Sequence, residues 1–131
     1  MKTYTITKSD LDEDNFYIGK EDLTDFNGQI ETDKNLGIIK FKNYLKAKFS
    51  IVFSAGCGIS AGCGISAGWE ISAGCGISAG YGISAKTILS ELRIFAGISK
   101  YKIPIGADIE IRVEKVLGGE ICYGKLVITT P

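Results

Sequence analysis

The chain of 131 residues contains no histidine. Histidine is the side chain most often used as a general base and is a frequent zinc ligand, so its absence excludes histidine-based triads and histidine-containing zinc sites. The cysteines do not form CxxC pairs, and no GxxxxGK[ST] phosphate-binding loop occurs. We therefore expect a protein that is not an enzyme and that holds no metal or cofactor.

Long apolar runs and an excess of one charge are also missing. No run of about 18 apolar residues occurs, and the start, MKTYTITKSDLDED, lacks the apolar core of a secretory signal. These absences predict a cytoplasmic protein without a membrane-spanning segment. Fifteen basic and fifteen acidic residues give a net charge of zero, which argues against general nucleic-acid binding. Residues 1–33 are nevertheless acidic, and we expect them to pair mainly with the rest of the chain.

A six-residue repeat dominates the middle of the chain. Residues 53–85 read FSAGCG, ISAGCG, ISAGWE, ISAGCG, ISAGYG and ISA. Apolar residues occupy the odd positions, while the even positions hold serine, glycine and a single charge, Glu70. Alternation with a period of two indicates strands with one buried and one solvent-facing side. Frequent glycine also excludes a helix, because each glycine costs ~1 kcal/mol relative to alanine.

Strands usually contain about 3–10 residues, so this stretch must bend repeatedly, and its regularly spaced glycines permit the bends. The pattern predicts an all-β fold, a parallel β-helix (β-solenoid) with about 18 residues per coil. With three repeats per coil, residues separated by three repeats stack on one another. The expected stacked pairs are Cys57 with Cys75, Cys63 with Tyr81, and Ile59 with Ile77. Acyltransferases built from such repeats use a histidine base, which this chain lacks.

We predict a single domain across residues 1–131. It comprises an acidic N-terminal segment with irregular first coils at 1–35, the hexapeptide solenoid at 36–99 and a C-terminal β-hairpin cap at 100–131. The alternation slips near 86–88, where we expect a bulge or a corner. A strand is expected from Ile105 to Val113, and Gly118-Gly119 suits the tight turn of the hairpin. Such a hairpin would cover the open end of the helix.

The cysteines are interpreted as packing groups. Three of them share the repeat position that Trp69 and Tyr81 also occupy, and this position is predicted to point inward: Cys57, Cys63 and Cys75. A position that accepts tryptophan indicates packing rather than ligation, so we expect free, buried thiols. A disulfide between Cys57 and Cys75 remains an alternative. Cys122 lies outside the repeat and is not expected to be reactive.

The candidate interaction surface consists of the residues predicted to face outward. A lysine stripe has the potential to contact phosphates, although such lysines more often protect a strand edge from aggregation. The serines form a flat surface with few side chains, on which another backbone or sheet could lie. The candidate residues are Lys40, Lys42, Lys46, Lys48, Ser60, Ser66, Ser72, Ser78 and Glu70.

The repeats and their flanks resemble a known family. Tandem IxAGxG units, preceded by DNFYIGKEDLTDFNGQIETDKNLGIIKFK and followed by LRIFAGI and GGEICYGKLV, look like a family of short, mostly uncharacterised bacterial and phage proteins. The resemblance extends from about residue 11 to 128 and implies no catalytic residues. The repeat is also loosely similar to that of the bactofilins, polymer-forming β-helices. The predicted terminal hairpin and the many glycines distinguish the chain from them.

The resemblance implies a binding protein of phage or mobile-element type. We expect a non-catalytic protein-interaction module that blocks a host complex, for example an anti-CRISPR or other anti-defence inhibitor. The alternative is a structural solenoid that self-associates through its Ser/Gly faces. The expected partner is a large protein complex, and nucleic acid is a weaker alternative. We expect no contact with a membrane. The chain itself is expected to be a monomer or a homodimer. The mass in solution would distinguish the two. It should rise with concentration for the structural protein and stay small for the inhibitor.

Overall fold

The computed structural model describes residues 2–97 and 106–129, which form an all-β fold. Two short 3-10 helices, Lys8–Asp10 and Gly106–Ile109, accompany the strands. The described strands, numbered in chain order, are β1 (Thr3–Ile6), β2 (Gln29–Thr32), β3 (Gly37–Phe41), β4 (Leu45–Ala47), β5 (Ile51–Phe53), β6 (Cys57–Ala61), β7 (Ile65–Ala67), β8 (Glu70–Ala73), β9 (Ile77–Ala79), β10 (Ile83–Ser84), β11 (Thr87–Ala96), β12 (Glu110–Val113), β13 (Lys115–Tyr123) and β14 (Lys125–Ile128).

The strands pair in parallel within two sheets. One sheet has nine strands in two arms, β1-β2-β5-β8 and β3-β6-β9, which meet at the long strand β11. The first half of β11 pairs with β8, its second half pairs with β9, and β13 also pairs with β11. The other sheet has five strands in the order β14-β12-β10-β7-β4. From β2 to β10, successive strands therefore belong to the first arm, the second arm and the five-stranded sheet in turn.

The register confirms the predicted stacking within the perfect repeat. Ile59 pairs with Ile77, eighteen residues later, and the Cys75 N–H donates to the Cys57 carbonyl at 2.8 Å. The spacing differs outside this region. Ile39 pairs with Ile59 after twenty residues, because Ile51 and Ile59 are eight positions apart, whereas the core isoleucines that follow are six positions apart. Ile77 pairs with Ile94 after seventeen residues, which places the predicted slip at the corner before β11.

Three ladders of branched aliphatic side chains form the core. Each ladder belongs to one arm or sheet, and nearly every member is excluded from solvent: Ile30, Ile51, Ile71 and Ile88; Ile39, Ile59, Ile77 and Ile94; Leu45, Ile65, Ile83 and Ile111. Beside them, small residues such as Ala61, Ala79 and Ala96 fill the narrower positions of the interior. The six-residue spacing thus brings one isoleucine and one alanine of each repeat into the core, as the alternation predicts.

The first part of the chain continues the same pairing irregularly. Isolated parallel bridges join Phe16 to Lys40 and Phe26 to Ala47. Aromatic rings close this end of the core: Tyr4 lies 6.2 Å from both Tyr17 and Phe26, measured between ring centroids. Phe26 is almost completely buried.

The predicted C-terminal hairpin is wrong for the described residues. β13 pairs in parallel with β11, and β14 pairs in parallel with β12, so both strands extend the existing stacks. Gly118 and Gly119 lie inside β13 rather than in a turn between strands. Gly119 has a φ of 102°, which glycine adopts without steric cost, and it allows β13 to bend as it follows β11. A Gly-Gly pair fits such a bend as well as it fits a hairpin turn.

The strand predicted over Ile105–Val113 is shorter than expected. Residues 106–109 form a 3-10 turn, and the strand proper begins at Glu110. Ile111 and Val113 are buried as the alternation predicts. Ile105, at which the strand was expected to begin, lies outside the described residues.

Candidate protein-interaction surface

The lysines predicted to form one stripe lie on two different sheets. Lys40 is on β3 of the nine-stranded sheet, and Lys46 is on β4 of the five-stranded sheet. The ammonium groups of Lys40 and Lys42 lie 5.5 and 5.9 Å from the ring centroid of Phe16. The ammonium group of Lys46 lies 3.9 Å from the carboxylate of Asp25. These lysines therefore contact the N-terminal segment, and they do not form a continuous stripe.

The serine hydroxyls are similarly divided among three surfaces. Ser60 pairs with Ser78 on the second arm, whereas Ser66 pairs with Ser84 on the five-stranded sheet. Ser72 lies on the first arm between Val52 and Leu89. Each repeat contains one strand and one corner, so successive serines face in different directions. No array of all the repeat serines exists on one face.

The prediction that Trp69 points inward is wrong. Its side chain is 48% exposed, because a three-residue strand such as β7 directs only its isoleucine and its alanine into the core. Trp69 follows at the corner, where the chain changes direction before β8. The same geometry leaves Cys63, Cys75 and Tyr81 only half-buried, and Cys57 alone of the repeat cysteines is fully enclosed.

Trp69 is held at this corner by neighbouring turns of the chain. Its ring packs edge-to-face on Phe49, with the centroids 4.8 Å apart and the planes at 67°. The backbone N–H of Trp69 donates to the Phe49 carbonyl at 3.1 Å, and the backbone carbonyl of Trp69 accepts from the Lys86 N–H at 2.8 Å. The Lys48 ammonium lies 5.8 Å from the Phe49 ring centroid. We call the surface formed by Lys48, Phe49, Trp69, Glu70 and Lys86 the corner ridge.

Glu70 belongs to this ridge and also to the sheet. It begins β8 and pairs with Thr87, whose hydroxyl lies 3.5 Å from the Glu70 carboxylate. The ridge therefore carries one carboxylate, that of Glu70, and two lysines, Lys48 and Lys86. An aromatic pair with charges of both signs around it suits a protein surface better than a polyanion.

An open cleft of about 570 Å³ adjoins the ridge toward the N-terminal end. Phe26 and Phe49 provide the apolar part of the cleft. The ammonium group of Lys2 forms an ion pair with the carboxylate of Glu21, at 3.0 Å. Near the cleft, the hydroxyl and N–H of Thr24 donate to Asp22 and hold the pKa of this carboxyl below its usual value. The complete lining is Lys2, Glu21, Asp22, Asp25, Phe26, Asn27, Lys48 and Phe49.

The four cysteines are free thiols, so the alternative of a Cys57–Cys75 disulfide does not hold. The Cys57 thiol lies 3.1 Å from the Asp33 carbonyl, to which it donates, and it accepts from the Leu36 N–H at 3.3 Å. These contacts orient it toward the preceding turn. Within residues 2–97 and 106–129, no group of histidine, cysteine and acidic side chains is arranged to hold a metal ion.

Sequence reasoning missed Phe49, Trp69 and Lys86 as surface residues. The available signal was that Trp69 is the chain's only tryptophan and precedes the only charge in the repeat, which marks an irregular unit. The two helices in the described part are far too short to reach across a bilayer. In comparisons with known proteins, no family model, no curated protein and no solved structure matched the chain.

Proposed function

We propose that the chain is a three-sided parallel β-helix that binds a protein partner without catalysing a reaction. The parallel register supports the helix, because the two arms and the five-stranded sheet are visited in a fixed order and stack after 17 to 20 residues in the central part. Its strands are short and mutually supporting. Such a scaffold presents its corner residues with little freedom to rearrange.

The exposed Trp69 on Phe49 is the observation that carries the binding proposal. Tryptophan, tyrosine and arginine dominate the energetics of protein interfaces, and a rigidly held aromatic loses little entropy on binding. Trp69 is 48% exposed, and the backbone bonds on both of its sides fix its position. The neighbouring cleft would accept one or two side chains of a partner, with Lys48 shared between cleft and ridge.

The effect on the partner is proposed from the resemblance described above. A short phage-like binding protein would act by occupying a surface that a host complex needs, as an anti-CRISPR or other anti-defence inhibitor does. The alternative of self-association through Ser/Gly faces is less well supported. The serines are divided among three surfaces, and those of the repeat are only partly exposed except for Ser84.

The test compares three tagged proteins in pull-downs from a host lysate, followed by titration against the recovered complex. Trp69→Ala removes the centre of the ridge. Tyr44→Ala is a matched control, because Tyr44 is also aromatic and 52% exposed but lies beyond β3, outside the ridge. We expect Trp69→Ala to weaken binding about thirtyfold or more, as for a hot-spot residue, and Tyr44→Ala to bind normally.

Equal binding by all three proteins would contradict the assignment of the ridge. Equal loss in Trp69→Ala and Tyr44→Ala would also contradict it, since binding would then not depend on this corner. Circular dichroism of each variant shows whether the β fold is retained. Both side chains are largely outside the core, so we expect unchanged spectra.

A further inference from the structure

The core is covered differently at the two ends of the stacked strands. At the N-terminal end, the aromatic cluster of Tyr4, Tyr17 and Phe26 covers the core, and Leu23 is buried with it. At the other end lie β13 and β14, each with one described partner strand, as β1 also has at the first end. The terminal strands of a β-helix normally require a cover, because an open end exposes both core side chains and unpaired backbone.

The side chains at this second end continue the core ladders without being covered. Leu126 pairs with Ile111, and Ile128 pairs with Val113; both partners are completely buried. Residues in register on parallel strands point to the same side, so Leu126 and Ile128 face the interior direction. They are nevertheless 42% and 57% exposed.

The backbone of β14 is also available on its free side. The Thr129 N–H donates to the Val113 carbonyl at 2.8 Å, so Thr129 faces β12. In a parallel ladder, alternate residues direct their N–H and C=O groups to opposite neighbours. The N–H and C=O groups of Leu126 and Ile128 therefore point to the free edge. The same two residues offer core side chains and hydrogen-bonding groups to an additional strand.

Charge favours contact between two copies of this end over contact between two N-terminal ends. Residues 114–129 contain Glu114, Lys115, Glu120 and Lys125, which sum to zero, so two such ends do not repel each other. In an antiparallel pair, the basic start of β13 lies toward the acidic second half of its copy. Residues 1–33, by contrast, carry nine acids and three lysines, which disfavours contact between two N-terminal ends.

We propose that the chain forms a two-fold homodimer in which the β13–β14 ends of two copies meet, with the edge strands antiparallel. Head-to-tail stacking would require the closed N-terminal end as a partner, so the assembly stops at two chains. The corner ridge is not part of this interface. The dimer therefore displays two ridges, and its existence does not depend on the function proposed for them.

The test is the mass in solution, measured by sedimentation over a range of concentrations. We expect a reversible change from 14.1 kDa to twice this value. Ile128→Lys places a charge at the apolar end and should weaken dimerisation about thirtyfold or more. Val127→Lys is the matched control on the same strand. Val127 pairs with Arg112 on the solvent-facing side of β12, so this change should leave the dimer intact.

A second variant, Ile128→Pro, tests the backbone contribution. It removes an N–H that points to the free edge and leaves the hydrogen bonds to β12 in place, so the fold should persist while the dimer weakens. A monomeric wild-type chain at every concentration would overturn the proposal. Open-ended growth in mass, or equal weakening by Val127→Lys and Ile128→Lys, would overturn it as well.

Discussion

Ala73 lies in β8 between Phe53 of β5 and Ser90 of β11, and all three side chains are buried. We predict that Ala73→Leu destabilises the fold by about 1–3 kcal/mol, because added volume in a filled core forces its neighbours to move. Ser72→Thr, which alters the outward-facing neighbour, should change stability by less than about 0.5 kcal/mol. Urea unfolding followed by circular dichroism measures both. Equal effects would show that the inward assignment is wrong.

Tyr17 gives the chain a dependence on alkaline pH. Its ring packs on Phe41 with the centroids 5.8 Å apart, and its hydroxyl donates to the Glu21 carbonyl at 2.9 Å. Burial, assisted by the neighbouring Tyr4, raises the pKa of Tyr17 above the usual value of 10.0. The unfolded chain therefore ionises first as the pH rises, and the stability present below pH 10 is progressively lost above it.

We predict that Tyr17→Phe lowers the free energy of unfolding at neutral pH but reduces its decline above about pH 10. Tyr4, whose pKa is also raised by burial, accounts for part of the remaining slope. Urea titrations at several alkaline pH values provide the measurement. The exposed Tyr44→Phe serves as the control. An unchanged slope in Tyr17→Phe would exclude this tyrosine as the source.

For individual residues, the alternation in the sequence correctly predicted which strand side chains are buried. It did not predict the exposure of side chains at the corners. Ile71 and Ala73 are buried as expected, since a strand has only two sides. Trp69 was assigned to the interior by the same count, although the strand ends before it and the count no longer applies. Phe49, Trp69 and Lys86 of the corner ridge were therefore missed, whereas Lys48 and Glu70 were identified as surface residues.

Among the elements, the corners are as constrained as the strands. Gly80 follows β9, and its N–H lies within hydrogen-bonding distance of the Ala61 and Cys63 carbonyls, at 2.9 and 3.1 Å. A Cβ atom at this position would clash with the Gly62 carbonyl on the neighbouring turn. We predict that Gly80→Ala costs about 2–3 kcal/mol, measured by thermal or urea unfolding, because backbone rather than a flexible side chain must move.

Ser78→Ala is the control for this corner, since it lies two residues earlier on an outward position of β9 and removes only a hydroxyl group. It should remain within about 0.5 kcal/mol of the wild-type stability. Full stability of Gly80→Ala would mean that adjacent corners are farther apart than the structure places them.

The elements show where local patterns become ambiguous. Short parallel strands followed from the repeat, because its isoleucines and alanines recur at fixed spacing. The C-terminal hairpin did not follow, since alternation in β13 and β14 is the same for parallel and antiparallel pairing. Gly118-Gly119 is compatible with both a tight turn and a bend within a strand. The choice is made by long-range pairing with β11, which leaves no local signature.

Across the whole molecule, stability should be greatest in the middle and least at the open end. The central strands β6 and β8 have neighbours on both sides, whereas β14 has one described neighbour. We predict the slowest amide hydrogen exchange in the central strands and the fastest in β14, because each strand is stabilised mainly by the strands that pair with it. Measurement at low concentration keeps the chain monomeric. Equally slow exchange in β14 under these conditions would contradict this gradient.

Net charge and composition are averages over the whole chain and do not describe its individual segments. The acidic excess of residues 1–33 was readable from the sequence, and Asp25 of this segment lies 3.9 Å from the ammonium group of Lys46. The difference between a closed and an open end was not readable. It depends on which residues reach across the core after the strands have stacked, and this is a property of the assembled fold.

The position of Trp69 has a consequence for spectroscopy. It is the only tryptophan, and it lies on the surface against a phenylalanine instead of in the core. Its intrinsic fluorescence therefore reports the local environment of one corner. Emission should already resemble that of a partly hydrated indole in the folded chain and should change when a partner covers this corner. The chain thus carries a built-in optical reporter of this corner, which would register the proposed binding, whereas its unfolding is better followed through the backbone.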